Sequence, residues 1–235
     1  MTTAPPKTAS QTLSRGIRIL EVLAAAAGPL TIDEIAEALG VHRSIAYRLL
    51  RTLEDHGLIS RDSAGRIVLG ARMAALAAGV SSDLQAEALP ELTAIANELG
   101  MTCFLAVLDR DETITLASVE PRHAVASVAQ RPGARHPATV GAPSKAMLAV
   151  LPEAEWPAGV TDALRAEVAA TAARGYATSH DEVIPTVQAV AVPLVLRGRR
   201  PAAIAVVHVA HADDPERIAQ RLRRSADTIR EALGG

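Results

Sequence analysis

The stretch VHRSIAYRLLRTLEDHGLISRD, residues 41–62, carries two residue patterns on one predicted helix, residues 42–56. The first pattern is apolar and recurs every three or four residues, as the inward face of a helix requires; it consists of Ala46, Leu49, Leu50 and Leu53. The second pattern is polar and basic, has the same spacing, and consists of Arg43, Ser44, Tyr47, Arg48 and Arg51. The stretch therefore predicts a helix that packs on leucines and presents arginines outward.

The flanking sequence predicts a winged helix-turn-helix over residues 12–70. One helix is expected at residues 12–27, with its inward stripe formed by Leu13, Ile17, Leu20, Leu23, Ala24 and Ala27. A second is expected at residues 31–39, because Thr31 and Glu34 have capping-box spacing and Gly40 suits a left-handed helix end. After the basic helix, LISRD and GRIVLG are typical of two short strands joined by a turn.

The outward stripe has the position of a DNA-reading surface. An α-helix fits the major groove, and residues near its N-terminus read the base edges there. We expect base contacts from the first turns of the helix, involving His42, Arg43, Ser44, Tyr47 and Arg48. Arg51 is expected to contact phosphate, and Arg61 and Arg66 flank the hairpin tip and can reach the backbone or the minor groove. The alternative interpretation is an ordinary solvated basic face.

Charge and composition agree with a nucleic-acid partner for the first domain. The net charge is −2, yet residues 1–80 hold nine Lys and Arg against seven Asp and Glu, and residues 42–72 hold six arginines against three acids. The chain contains one cysteine and no apolar run of the roughly 18 residues that a membrane span needs. These features favour a cytoplasmic protein without a membrane partner.

The rest of the chain predicts an α+β domain. Helices are expected at residues 71–80, 82–99, 143–151, 161–174 and 215–233, and strands at residues 101–109, 113–120, 124–130, 187–196 and 201–210. The weakly patterned AAGVSSD suggests a boundary. We therefore expect an N-terminal tail at 1–11, the DNA-binding domain at 12–70, a linker helix at 71–81 and an oligomerising domain at 82–235.

Five segments resemble the IclR family of bacterial transcription regulators: SRGIRILEVLA, LTIDEIAEALGVHRSIAYRLLRTLEDHGLI, RPGARHPATVGAPSKAMLAVL, RGYATSHDEV and VQAVAVPLVL. The resemblance implies a winged helix, a linker helix and a C-terminal GAF-like domain that binds a small effector. It also implies a homodimer or homotetramer on a palindromic operator, acting as a repressor or an activator.

The resemblance further implies an effector pocket beside the loop RHPATVGAPSK. Its candidate residues are Arg135, His136, Gly141, Ala142, Ser144, Ser179, Asp181, Gln188, Ala189, Ala205 and Val207. Free N–H groups at a helix start near Gly141 would attract a carboxylate, with Arg135 and His136 in support. Related sensors have cysteine or serine where this chain has Ala189, Ala205 and Val207, so we expect an organic acid with a larger apolar body.

Two alternatives remain at this stage. The first is a small-molecule enzyme with an accessory winged helix, although no nucleophile motif such as Gly-x-Ser-x-Gly occurs and we expect no catalytic residue. The second is a regulator whose C-terminal domain binds no ligand. We expect no cofactor and no metal: His208 and His211 stand three apart on a predicted strand and point to opposite faces.

Overall fold

A computed structural model of the chain describes residues 10–123, 128–209 and 214–234. These divide into two compact units, with the division after Val80. Within the described ranges, no helix has both the length and the apolarity needed to cross a membrane.

The first unit consists of three helices, a two-stranded hairpin and a fourth short helix. In chain order these are α1 Gln11–Ala25, α2 Ile32–Leu39, α3 Arg43–Asp55, β1 Ile59–Arg61, β2 Ile67–Leu69 and α4 Arg72–Ala77. The capping box forms: the Thr31 hydroxyl accepts from the Glu34 N–H, and the Glu34 carboxylate accepts from the Thr31 N–H at 2.7 Å. Gly40 ends α2 in the left-handed conformation. The predicted order of helix, helix, helix and wing is confirmed.

The core of this unit lies between the three helices and the hairpin. The inward face of α3 is buried as predicted, and it packs against Ile19, Leu23, Ile35, Leu39, Ile59 and Ile67. The buried face of α1 agrees with the prediction at Leu23 and differs elsewhere, because Leu13 and Ile17 are exposed while Gly16 and Ile19 are buried. Apolar residues surround most of α1, so their spacing did not single out one face. Packing on α2 and α3 selected it.

The second unit is a six-stranded antiparallel sheet with helices on both faces. Its elements are α5 Ser82–Leu99, β3 Thr102–Asp109, β4 Glu112–Val119, β5 Arg135–Pro137, α6 Ala142–Leu148, a 3₁₀ turn Glu153–Glu155, α7 Asp162–Arg174, β6 Ala177–His180, β7 Val187–Leu194, β8 Ala202–Val209 and α8 Pro215–Ala232. The strand order is β5-β4-β3-β8-β7-β6. The predicted α+β class is confirmed.

Alternation along the central strands divides this unit into two cores. Residues such as Cys103, Leu105 and Ile204 face α5 and α8, whereas Phe104 and Ala205 face α6. The α6 side is rich in alanine, and small side chains let a short helix lie close to the sheet. The cavity described below lies on this alanine-rich side.

The sheet edges are where prediction and structure differ. The strand expected at 124–130 is not present at residues 128–130, and residues 124–127 lie outside the described part. Instead β5 closes one edge by pairing with the start of β4, and β6 closes the other by pairing with β7. Both strands are short and lack clear alternation, so their conformation depends on the partner strand and not on a local pattern.

Candidate functional site

The outward stripe of α3 is solvent-exposed along its length. Arg43, Ser44, Tyr47, Arg48 and Arg51 are all exposed, and the opposite face holds the buried leucines. His42 precedes the helix as its N-cap, where its Nδ1 accepts from the Ser44 N–H at 3.3 Å. The N-terminal turns of α3 therefore form an open polar ridge.

The arginines of this ridge and wing fall into two groups: those already bound to another group of the chain through an ion pair or a hydrogen bond, and those without an ion pair to any described residue. Arg43 binds Asp33 at 2.9 Å, Arg61 binds Glu54 at 3.1 Å, and Arg66 donates to the Pro29 carbonyl at 3.3 Å. Arg48 and Arg51 form no ion pair with any of the residues that the structure describes. An anionic partner would meet these two guanidinium groups without first breaking an internal pair.

A cavity of about 40 Å³ lies in the second unit between the sheet and the chain before α6. Its wall is mainly apolar, with a few polar groups, and it is formed by Phe104, Gln130, His136, Gly141, Pro143, Ser179, Glu182, Val183, Ile184, Val187, Ala189 and Val207. Five of the predicted effector residues therefore share one cavity: His136, Gly141, Ser179, Ala189 and Val207.

The remaining candidates lie elsewhere, for identifiable reasons. Ala142, Ser144 and Ala205 are fully buried, and the Ser144 hydroxyl is 2.8 Å from that of Thr113. Arg135 is half-exposed and binds Glu112 at 3.3 Å. Asp181 accepts from the Thr186 N–H at 2.5 Å, and Gln188 faces an open groove behind the cavity.

The electrostatics of the cavity differ from the expected free helix start. The Gly141 N–H already donates to the Glu182 carboxylate at 2.8 Å, and Glu182 also binds the Lys145 ammonium at 2.5 Å. Lys145 is only 3% exposed and forms a further ion pair with Glu167. Burial lowers the pKa of His136, and this outweighs the raising effects of the Pro137 carbonyl and of Glu182, so the site favours the neutral imidazole.

Glu182 and Lys145 were missed by sequence reasoning, as were Phe104 and Gln130. One signal was available: Lys145 stands in the apolar helix APSKAML, where a lysine needs a counter-ion. Nothing in the sequence indicated which acid would provide it. The other motif considered, around His208, runs into residues 210–213, which lie outside the described part of the chain.

Comparison with known proteins covers both units. The IclR helix-turn-helix domain model matches residues 12–63, and the model for the bacterial transcriptional regulator IclR C-terminal domain matches residues 76–231. The chain is an IclR-family transcriptional regulator. This family comprises DNA-binding regulators with a C-terminal effector domain and not enzymes, so the predicted family and the non-enzymatic assignment are confirmed.

Individual relatives of this IclR-family regulator support the assignment over most of the chain. The probable transcriptional regulator SauR of Cupriavidus necator is 33% identical over 82% of this chain and 83% of its own. The crystal structure of an IclR transcriptional regulator from Alicyclobacillus acidocaldarius matches with a TM-score of 0.83 at 29% identity, covering 96% of this chain and all of that one (100%). An IclR homologue from Microbacterium hydrocarbonoxydans, solved with 4-hydroxybenzoate, matches at 0.80 and 25% identity, over 95% and 99% of the two chains.

A substitution at Gly141 of this IclR-family regulator tests how tightly the cavity wall packs around this residue. Its φ is +87°, and an added Cβ would lie 3.1 Å from Val183 Cγ2 and 3.2 Å from His136 Cε1. We expect Gly141→Ala to lower the free energy of unfolding of the second unit by about 3 kcal/mol, because backbone strain of this kind costs about 1–3 kcal/mol and two neighbours must also move. Urea unfolding followed by the fluorescence of Trp156, the only tryptophan, measures the loss.

Gly198→Ala is the matched control for this prediction. Gly198 also has a positive φ, +71°, but a Cβ there would have no atom within 4 Å. We expect it to cost only about 1 kcal/mol. Equal losses from the two substitutions would contradict a tight contact of Gly141 with the cavity wall.

Proposed function

We propose that the regulator reads a palindromic operator with the exposed ridge of α3. Arg43, Ser44, Tyr47 and Arg48 would face the base edges, with His42 at the start of the helix and Arg51 on phosphate. Arg61 and Arg66 in the wing would contact the backbone or the minor groove. The observation that carries this proposal is the division of α3 into a buried leucine face and an exposed arginine face.

Reading a palindromic operator requires a homo-oligomer. Two copies of α3 would enter successive major grooves, so the half-sites would be one helical turn or a multiple apart. An effector in the C-terminal domain would change operator affinity by favouring one placement of the two DNA-binding domains, transmitted through residues 71–99. It can do so only by binding the two arrangements with different affinities.

We infer that the effector is an organic acid with an apolar body. Phe104, Val187 and Val207 give the cavity an apolar wall, while Ser179 and Gln130 provide hydrogen-bonding groups. The homologue solved with 4-hydroxybenzoate supports an aromatic acid as one member of this class. Of the remaining predicted residues, Ala142, Ser144 and Ala205 are buried and would support the site from behind its surface. Asp181 would hold the loop beside it through Thr186, and Gln188 would line the adjoining groove.

Selection of bound genomic fragments tests the function directly. Purified protein is mixed with sheared DNA from the source genome at fixed salt, and the enriched sequences are determined. We expect an inverted repeat, with affinity that changes when an aromatic acid such as 4-hydroxybenzoate is added. Enrichment without any shared sequence would contradict the operator proposal, and an operator affinity indifferent to every acid tested would contradict the acid effector.

Arg61→Ala tests the assignment of the wing to phosphate contact. Removing one phosphate contact lowers the slope of log K against log salt by about 1, and weakens binding equally on different sequences. Gel shifts on the operator and on a scrambled duplex, at several salt concentrations, measure both effects. Glu54→Gln is the control, because it releases Arg61 from its ion pair and should not lower affinity. An unchanged slope in Arg61→Ala would contradict the wing contact.

A further inference from the structure

The place expected for the effector's carboxylate is occupied by a carboxylate of the chain itself. Glu182 lies in the loop 181–186 between β6 and β7, and one of its oxygens accepts from the Gly141 N–H while the other binds Lys145 Nζ. Lys145 also donates to the Thr178 carbonyl at 3.3 Å. An acid entering the cavity would therefore meet two donors that are already bound.

The cavity is also too small for the effector proposed above. Its volume is about 40 Å³, whereas a buried cavity that holds benzene has roughly 150 Å³. Behind it lies an open groove of about 420 Å³ whose wall includes Lys145, Glu167 and Gln188. Ser179, Glu182 and Ala189 line both spaces, so Glu182 lies at their common boundary, with its partner Lys145 on the groove side.

The loop that carries Glu182 has the features of a separate, movable element. Asp181 and Thr186 at its two ends have φ of +60° and +66°, which costs energy for residues other than glycine. The Asp181 carboxylate closes the loop on itself through the Thr186 N–H. Val183 and Ile184 line the cavity but remain 45% and 38% exposed, so both side chains are already partly in solvent.

We propose that Glu182 is the specificity-determining residue of the effector site, acting as an internal competitor. An acid effector displaces the Glu182 carboxylate from the Gly141 N–H and from Lys145, and loop 181–186 moves outward with it. This inference rests on the proposed acid effector, and it names the Glu182 carboxylate as the group that must leave when the acid binds.

Displacement of Glu182 by another carboxylate explains why the site would select acids. A carboxylate that replaces Glu182 restores the ion pair of the buried ammonium, and Glu182 becomes solvated as it leaves. An amide of the same shape cannot restore that pair and leaves the buried Lys145 ammonium with Glu167 as its one carboxylate partner among the described residues. Loss of a charged partner from a buried ion pair is strongly unfavourable. Discrimination between acid and amide is then set by the Glu182–Lys145 contact and not by the apolar wall.

The test compares wild type, Glu182→Gln and Glu167→Gln with benzoate, 4-hydroxybenzoate and benzamide as probes. Glu167→Gln is the matched control, because it removes the same charge from the same ammonium without touching the Gly141 N–H. We expect calorimetry to show that Glu182→Gln binds the acids at least tenfold more tightly than wild type. Glu167→Gln should gain less than threefold, and benzamide, which cannot pair with Lys145, should bind all three proteins more weakly than benzoate does.

Hydrogen exchange reports directly on the loop, first by comparing the ligand-free proteins and then by adding benzoate to the wild type. We expect the amide of Thr186, which donates to the Asp181 carboxylate, to exchange faster in Glu182→Gln than in either other protein, and faster in wild type once benzoate is bound. Equal acid affinity in the two variants would overturn the competition, and so would loop exchange that neither Glu182→Gln nor benzoate changes. Either result would still be compatible with an acid effector. Binding of benzamide but of neither acid by all three proteins would instead overturn the acid effector, and the competition with it.

Discussion

Arg48→Ala is expected to weaken operator binding by about 5- to 150-fold and to relax the preference for one base pair in each half-site. Arg48 is exposed near the start of α3 and forms no ion pair among the described residues. A guanidinium that hydrogen-bonds both acceptors of a guanine contributes about 1–3 kcal/mol of discrimination. Gel shifts against a library of operators with single base-pair changes would show the affinity loss and identify the position whose preference disappears.

Arg48→Lys is the matched control, because it keeps the charge but loses the planar fork. If Arg48 reads a base, the lysine variant should lose discrimination at the same position as the alanine variant while retaining more of the overall affinity. If both variants bind every operator as the parent does, the ridge of α3 is not the reading surface. A lysine variant with wild-type discrimination would reassign Arg48 to phosphate.

Leu50→Ala is expected to destabilise the DNA-binding unit by about 3 kcal/mol. Leu50 is fully buried between Ile19, Ile35 and Ile67, and truncating a buried leucine costs about 2–5 kcal/mol. A unit of about 70 residues has a total stability of only about 4–10 kcal/mol. The substitution therefore removes a large share of it, and the variant should lose operator binding on mild warming.

Native-state hydrogen exchange of residues 49–53 measures this loss within the unit where it occurs. Leu13→Ala is the control, because Leu13 on α1 is 64% exposed and its truncation should change the free energy of opening by less than about 0.5 kcal/mol. Exchange in residues 102–108 of the second unit should remain unchanged in both variants. A loss below about 1 kcal/mol in Leu50→Ala would contradict its place in the core.

The winged helix was predictable because its signals are local. A capping box, a left-handed glycine and the two faces of α3 each depend on residues within four or five positions, and all of them occur in the structure. The buried face of α1 was not predictable in this way. Where apolar residues surround a helix, only its contacts with neighbouring helices decide which of them become buried.

The candidate effector site shows the same difference between local and long-range signals more clearly. Resemblance to the IclR family led to Gly141, Ser179 and Val207, which line one cavity. It did not lead to Glu182, although Glu182 is the group that binds the Gly141 N–H. This contact joins residues 41 positions apart, and no spacing rule relates them.

From residue order alone, the helices of the DNA-binding unit and the outward direction of its arginines could be worked out, since each rests on backbone periodicity over a few turns. The family followed from the resemblance of five segments. The tertiary structure decided which strands close the sheet, that the cavity beside Gly141 is small, and that one of the chain's own carboxylates binds the Gly141 N–H there. These properties depend on side chains that meet across the sheet. Their free energies come from burial and ion pairing between segments distant in the chain.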